Sequence, residues 1–228
     1  YNAWGEKYPP YDLDNAVPEH IASVRDLPCF TPDMILEGGS IEVNGQGTLI
    51  TTESCLLNPN RNPALDRAAI EQRLTDYLGV RNILWLGDGI AGDDTDGHVD
   101  NLARFVNAQT VVAAVEPNQQ EPDHPRLQAN LQSLQAMRTE KGCPLRVIEL
   151  PMPKPVWQQS ERMPASYANF YIGNRTVLMP AFGQSRDADA QAILQQCFPN
   201  RRVLPLDSTD LIWGLGSFHC LTQQEPQG

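Results

Sequence analysis

Two short strands, a helix and a further strand recur in the same order along this chain, and a unit built that way has an apolar face that only a neighbouring unit can cover. The first unit runs from Ile35-Leu36-Glu37-Gly38-Gly39 into Ser40-Ile41-Glu42-Val43, turns at Asn44-Gly45-Gln46-Gly47 and returns through Thr48-Leu49-Ile50-Thr51-Thr52. Asn-Gly between alternating apolar runs is a strong hairpin signal. Ala64, Ala68, Ile70, Leu74 and Leu78 at helical spacing predict a helix from about Pro63 that Gly79 ends, and Asn82-Ile83-Leu84-Trp85-Leu86 predicts the closing strand. The second unit predicts a strand from His98 to Val106, another from Thr110 to Val115, a helix from about His124 to Lys141 and a strand from Leu145 to Leu150. The third predicts strands from Tyr167 to Ile172 and Thr176 to Met179, a helix from about Asp187 to Phe198, and a strand from Arg202 to Leu206. Each unit is ββαβ. The units occupy about 33–87, 96–151 and 165–207, and a truncated fourth, 211–223, reads as a closing strand. A helix from Asp12, as N-cap, to Arg25 precedes them. The expected architecture is one α/β domain of propeller type over residues 1–228, with the first strands starting at one end of a common axis.

The densest chemistry lies at the start of the second unit, in Gly92-Asp93-Asp94-Thr95-Asp96-Gly97-His98-Val99-Asp100-Asn101, where four carboxylates accompany one of only four histidines. In an extended segment, alternation turns Asp94, Asp96, His98 and Asp100 to one face. Asp93 and Asp94 by themselves read as a solvated acidic run. His98 and Asp100 are a poor core pair and a good acid/base unit. Metal binding fits the cluster badly: one histidine with carboxylates matches no zinc pattern, and Gly97 falls too early for a calcium loop.

Charge narrows the partners. With 17 basic against 28 acidic residues the net charge is −11, which disfavours a nucleic-acid backbone and favours a small cation. No apolar run has transmembrane length and no signal peptide opens the chain, so no membrane association and a cytoplasmic location are expected. Five cysteines, Cys29, Cys55, Cys143, Cys197 and Cys220, form no Cys-x-x-Cys pair, which points to neither a zinc site nor a disulfide framework and to a reducing compartment.

If the units surround an axis, Glu37, His98 with Asp100, and Cys220 converge on one site. Cys220 follows the glycine-rich Trp213-Gly214-Leu215-Gly216 and can serve as a nucleophile beside a histidine, or be one more buried small hydrophobe. Adjacent strand residues point to opposite faces, so His219 would face away and leave His98 as the partner. Cys29, Cys55, Cys143 and Cys197 read as buried small hydrophobes without an acid/base neighbour. A papain-like protease is disfavoured because here the histidine precedes the cysteine.

Five ordered segments then carry a resemblance: Leu36-Glu37-Gly38-Gly39, Leu56-Leu57-Asn58-Pro59-Asn60-Arg61-Asn62-Pro63, the stretch from Gly92 to Asn101, Ser166-Tyr167-Ala168-Asn169-Phe170-Tyr171, and His219-Cys220-Leu221-Thr222-Gln223-Gln224. Together they resemble the agmatine deiminases of the bacterial-type peptidylarginine deiminase family. The resemblance implies the pentein-type, five-bladed α/β propeller of guanidine-modifying enzymes, a cysteine that attacks a guanidinium carbon, and no cofactor or metal. It implies Cys220 as nucleophile, His98 as acid/base, and Glu37 and Asp100 as guanidinium-binding carboxylates. Asp96, turned to the same face by parity, joins the substrate-binding set. The substrate expected is the small cation agmatine, with peptidyl or free arginine as the alternative and a non-catalytic cation-binding module as a third reading. A homo-oligomer is compatible with all three.

Two departures qualify the likeness. Gly214-Leu215-Gly216-Ser217 stands where the family carries Gly-Gly-Gly-Asn. The segment from Tyr1 to Pro10 resembles a region downstream of a Trp-x-Arg-Asp motif that supplies another guanidinium-binding aspartate, so the propeller is expected to be incomplete at its N-terminus.

Overall fold

The computed structural model describes residues 1–225. A single turn, Ala3–Glu6 (α1), and the helix Asp12–Arg25 (α2) come first. Asp12 sits in the first turn of α2 and not at its cap: the cap position is Tyr11, whose side chain makes no capping bond. α2 buries none of its residues and leaves Leu13 and Val24 87% and 70% exposed.

Three ββαβ units follow, in the order the repeat predicts. In the first, Ile41–Val43 (β1) pairs antiparallel with Thr48–Thr52 (β2), and β2 pairs in parallel with Asn82–Leu86 (β3). Between them lie a single turn, Glu53–Leu56 (α3), and the helix Arg67–Leu78 (α4). The turn after β1 forms because Asn44 Oδ1 accepts the Gln46 and Thr48 amides at 2.8 and 2.9 Å. α4 starts at Arg67 and not at Pro63 because the Asn62 side chain is committed to the Ile35 backbone, while Asp66 accepts from the Ala69 amide and caps the helix.

The second unit holds Ala103–Asn107 (β4), Thr110–Val115 (β5), His124–Ala136 (α5) and Arg146–Pro151 (β6), again antiparallel then parallel. α5 stops short of Lys141 because Thr139 turns back onto Cys143 and Gly142, and Arg138 bridges to Pro144. A small hairpin, Trp157–Gln158 (β7) with Glu161–Arg162 (β8), precedes the third unit. That unit holds Tyr171–Ile172 (β9), Thr176–Ala181 (β10), Arg186–Cys197 (α6) and Arg202–Asp207 (β11).

The closing strand expected at 211–223 does not form. Leu211–Gly214 is a 3-10 turn, Leu215 is left-handed at φ +63°, and the segment to Leu221 is held by local turns, so no extended run exists to pair with a neighbour. Among the described residues no helix is long and apolar enough to cross a membrane.

Packing explains why the units stay together. One core lies between the first two, where Ile50, Leu86, Val99 and Val111 meet Leu127, Leu131 and Leu134 of α5. A second joins the next two, with Val112 and Leu150 against Tyr167, Phe170, Val177 and Leu194. The inner strands are tied by charge. Arg104 of β4 donates to Glu42 Oε2 of β1 at 2.7 Å and to the carbonyls of Ala168 and Phe170 at 3.1 and 2.8 Å, so one buried guanidinium touches all three units.

Candidate active site

Each unit delivers a polar side chain just before its first strand. Glu37 precedes the 3-10 turn Gly38–Ser40 and β1, His98 precedes the 3-10 turn Val99–Asn101 and β4, and Asn169 lies two residues before β9. Cys220 arrives from the segment after the third unit, so the four elements converge on one place.

Glu37 is buried and already bonded on both oxygens. Oε1 accepts from Arg61 Nε at 2.8 Å, and Oε2 lies 3.1 Å from His98 Nε2. Burial alone would raise its pKa; the hydrogen bonds from His98 and Arg61 outweigh that and hold it below the usual carboxylate range. For His98 burial works the other way, yet hydrogen bonds to Cys55 and Glu37 and the Asp100 charge raise its pKa to about 10, so the imidazole is cationic at neutral pH. The other ring nitrogen and Asp100 both lie against Gly39. A Cβ built on Gly39 would lie 2.5 Å from His98 Nδ1 and 2.8 Å from Asp100 Oδ2, so only glycine allows these two groups to flank the backbone there.

Asp100 is fully buried. Its Oδ2 accepts from His219 Nδ1 at 2.8 Å and from the Cys220 thiol at 3.5 Å, whereas Oδ1 has no hydrogen-bond partner among the described residues. Burial would again raise its pKa, but the His219 hydrogen bond and the charges of His98, His219 and Arg104 lower it, so the carboxylate is ionised. Cys220 is an exposed residue whose sulfur lies against Asp100 and accepts from Asn169 Nδ2 at 3.1 Å. Its thiol pKa is pushed up to about 12, first by desolvation and then by the Asp100 charge. The Cys220 sulfur is therefore a neutral thiol at rest, and a cation beside it would favour the thiolate.

Several side chains lie elsewhere than strand alternation predicts. The stretch from Gly92 is not extended: Gly92, Asp96 and Gly97 have φ of +85°, +65° and +100°, which breaks the alternation. Asp96 consequently accepts from Arg61 Nη1 at 2.6 Å, Asn60 Nδ2 at 2.9 Å and Lys7 Nζ at 2.9 Å. Its lone pairs serve the loop. Asp94 accepts from the Tyr8 hydroxyl, and Asp93, half-buried, accepts the Thr95 and His98 amides. His219 does not face away, because the segment around Cys220 is a turn and the strand rule does not apply; it bonds Asp100. Cys55 does have an acid/base neighbour: it is buried with its sulfur 3.7 Å from Glu37 Oε2. Cys29 is exposed, and Cys143 and Cys197 are half-buried.

Two residues in the quoted segments prove to be organisers. Asn169 Oδ1 accepts the amides of Ser217, His219 and Cys220 at 3.2, 3.1 and 3.3 Å, fixing the turn that carries the sulfur. Arg61, buried, spends its donors on Glu37, Asn60, Asp96 and the Thr95 carbonyl and so locks the first carboxylate to the loop. Only Asn169 carried a signal in the sequence, its position: it occupies in the third unit the place of Glu37 and His98 in the others. The assembled groups comprise a thiol, an ionised carboxylate with a free oxygen beside it, and a cationic imidazole. That set can bind a planar cation, attack it and protonate a leaving nitrogen.

A family model described as Porphyromonas-type peptidyl-arginine deiminase matches residues 1–226. An agmatine deiminase of Pseudomonas aeruginosa is 41% identical over 249 residues, covering 99% of this chain and 68% of that protein. Among solved structures, the agmatine deiminase of Enterococcus faecalis aligns with a TM-score of 0.95 at 37% identity, over 99% of this chain and 68% of that one. A Cys→Ser variant of the C. jejuni agmatine deiminase, solved with substrate bound, aligns with a TM-score of 0.89 at 34% identity, over 96% of this chain and 64% of that one. The chain spans about two thirds of the length of the curated relatives it matches, 66% for one from Legionella pneumophila. The three ββαβ units are accordingly those of the pentein-type α/β propeller.

Proposed function

This chain belongs to the Porphyromonas-type peptidyl-arginine deiminase family, and on that premise we propose that its site hydrolyses a guanidinium group to a ureido group and ammonia through a covalent intermediate on Cys220. The substrate is agmatine, named for the Pseudomonas and Enterococcus relatives, and the product N-carbamoylputrescine, an intermediate on the way to polyamines. The observation that carries the reading is the ionised, fully buried Asp100, with one oxygen unpartnered among the described residues and the other 3.5 Å from the Cys220 sulfur. A buried carboxylate oxygen without a donor is costly, and a guanidinium N–H supplies that donor in charge-assisted form.

The chemistry follows from these positions. Asp100 fixes the guanidinium plane across the path of the sulfur, with Glu37 on the His98 side contributing its remaining lone pairs. As the cation docks, the thiol loses its proton to solvent, because the Asp100 charge that held it is now neutralised. The thiolate adds to the guanidinium carbon and gives a tetrahedral adduct. His98, cationic in the resting site, delivers a proton to one terminal nitrogen; the C–N bond breaks, ammonia leaves, and an S-alkylthiouronium remains on Cys220. The now neutral His98 takes a proton from water, the hydroxide adds to the same carbon, and breaking the C–S bond releases the ureido product and regenerates the sulfur. Held orientation and proton transfer are the two rate terms at work.

A second reading is favoured by the family model's own description: deimination of peptidyl or free arginine. Ammonia release from agmatine, free arginine and an arginyl peptide, each at matched concentration, distinguishes them. Agmatine is expected to be turned over fastest, and Cys220→Ala to abolish release while agmatine binding persists. Unchanged turnover in that variant overturns the nucleophile assignment, and preference for the peptide overturns agmatine.

A further inference from the structure

Cys55 has no part in the reaction just described, yet its sulfur sits behind the proton-transfer residue. It lies in the single turn α3, buried to 0% exposure, 3.7 Å from Glu37 Oε2, and that same oxygen is 3.1 Å from His98 Nε2. The sulfur, the oxygen and the nitrogen all lie within 4.8 Å of one another.

The two edges that meet at Glu37 Oε2 are close to those of a metal's coordination shell. Zinc bonds of about 2.3 Å to sulfur and about 2.0 Å to oxygen and nitrogen, set at tetrahedral angles, place oxygen and sulfur about 3.5 Å apart and oxygen and nitrogen about 3.3 Å apart. The observed 3.7 and 3.1 Å each differ from those edges by about 0.2 Å. The donor set of thiolate, imidazole and carboxylate suits a thiophilic divalent ion and discriminates against magnesium and calcium, which prefer oxygen alone. A thiolate and a carboxylate also balance a dication, while Arg61 keeps its hold on the other Glu37 oxygen.

We propose that Glu37, Cys55 and His98 form a site for Zn2+ or a similar thiophilic ion, and that its occupancy switches the centre off. The ion takes His98 through Nε2. The nitrogen left on the Asp100 side, Nδ1, must then carry the hydrogen, and an imidazole fixed in that state cannot accept a proton from water. Metal binding itself stands apart from the deimination reading; the inhibitory consequence rests on it.

The test uses the full chain, freed of metal and titrated with Co2+ and then Zn2+. One ion per chain by native mass spectrometry is expected, with a near-ultraviolet thiolate-to-Co2+ absorption that survives Cys220→Ala and disappears in Cys55→Ala. Cys55→Ser, closer in size, guards against a folding failure and should lose the same band. Zn2+ affinity should fall in Cys55→Ala by more than about 10- to 100-fold, the range that loss of an outer-shell partner alone produces. Agmatine turnover should be inhibited by Zn2+, restored by a chelator and unaffected by Mg2+. A thiolate band that persists without Cys55, or no thiolate band at one equivalent of Co2+, overturns the site. Bound Zn2+ with full turnover leaves the site standing and overturns the switch.

Discussion

Replacing Asp100 with asparagine keeps the shape of the side chain and removes one charge, and it should move two observables in opposite directions. The carboxylate is fully buried, accepts from His219 and Cys220, and has one oxygen to offer a ligand. If two charge-assisted N–H bonds from the guanidinium each contribute about 1.5–3 kcal/mol, their loss weakens binding of the reacting cation by about 3–6 kcal/mol, or about 10²- to 10⁴-fold in kcat/KM for agmatine. The thiol responds the other way. Desolvation and the Asp100 charge together push its pKa up to about 12, so removing the charge lowers it. Each unit of lowering gives about tenfold more thiolate, offset by reduced nucleophilicity, and nets about a threefold faster reaction. Alkylation by iodoacetamide at mildly alkaline pH, quantified at Cys220 by peptide mass spectrometry with exposed Cys29 as internal reference, should therefore accelerate at least about threefold in Asp100→Asn. Turnover within about tenfold of the original would refute the substrate-holding role, and unchanged or slower alkylation would refute the electrostatic hold on the sulfur.

Further perturbations test other parts of the site and the fold. His98→Gln should slow ammonia release by ~10²–10⁴, the worth of a general acid/base group, and near-normal release would move that role to His219. The same variant should flatten the alkaline stability profile. His98 is raised from 6.5 to about 10, so its contribution is full below 6.5 and is lost as pH rises through about 10; melting temperatures should fall across that window less steeply in the variant. Equal slopes contradict the cationic imidazole. Arg104→Met leaves Glu42 buried without its partner and should cost about 3–5 kcal/mol in urea unfolding, with much of that recovered in Glu42→Gln/Arg104→Met. A cost under about 1 kcal/mol would mean the axis does not depend on this pair. A Cβ on Gly216 would lie 2.6 Å from Cys220 Cβ and 2.9 Å from its sulfur, so Gly216→Ala should lose turnover and keep agmatine affinity. Wild-type kcat in that variant contradicts the need for close approach.

The ββαβ order is legible in the sequence because it rests on local signals: the Asn44-Gly45 turn, the Ile70/Leu74 stripe, the Gly79 stop. Site membership is legible wherever position within the unit decides it, as for Glu37 and His98. What fails is each inference that carries strand alternation into the segments outside the strands. Asp96 with φ +65° and the turn around Cys220 redirect side chains that a strand rule would alternate, which is why Asp96 bonds Arg61, Asn60 and Lys7 and His219 bonds Asp100. Cys55 and Arg61 are illegible for another reason: their partners lie 18 to 43 positions away, and only the packing of α3 and the following loop against the Glu37 turn brings them together. The Glu42–Arg104 pair occupies matching positions in the first strands of two units, a correspondence that sequence spacing contains but that only the shared axis makes meaningful.

The proposed reaction stands or falls with a carbon–sulfur bond between the guanidinium carbon and Cys220. Mixing the protein with agmatine, quenching in acid within the first turnover and measuring intact mass tests it most directly. The expected result is a species heavier by agmatine less ammonia, mapped to the peptide containing Cys220 and absent from Cys220→Ala. Product accumulating at full rate with no such species on any cysteine, and at the same rate in Cys220→Ala, would contradict it.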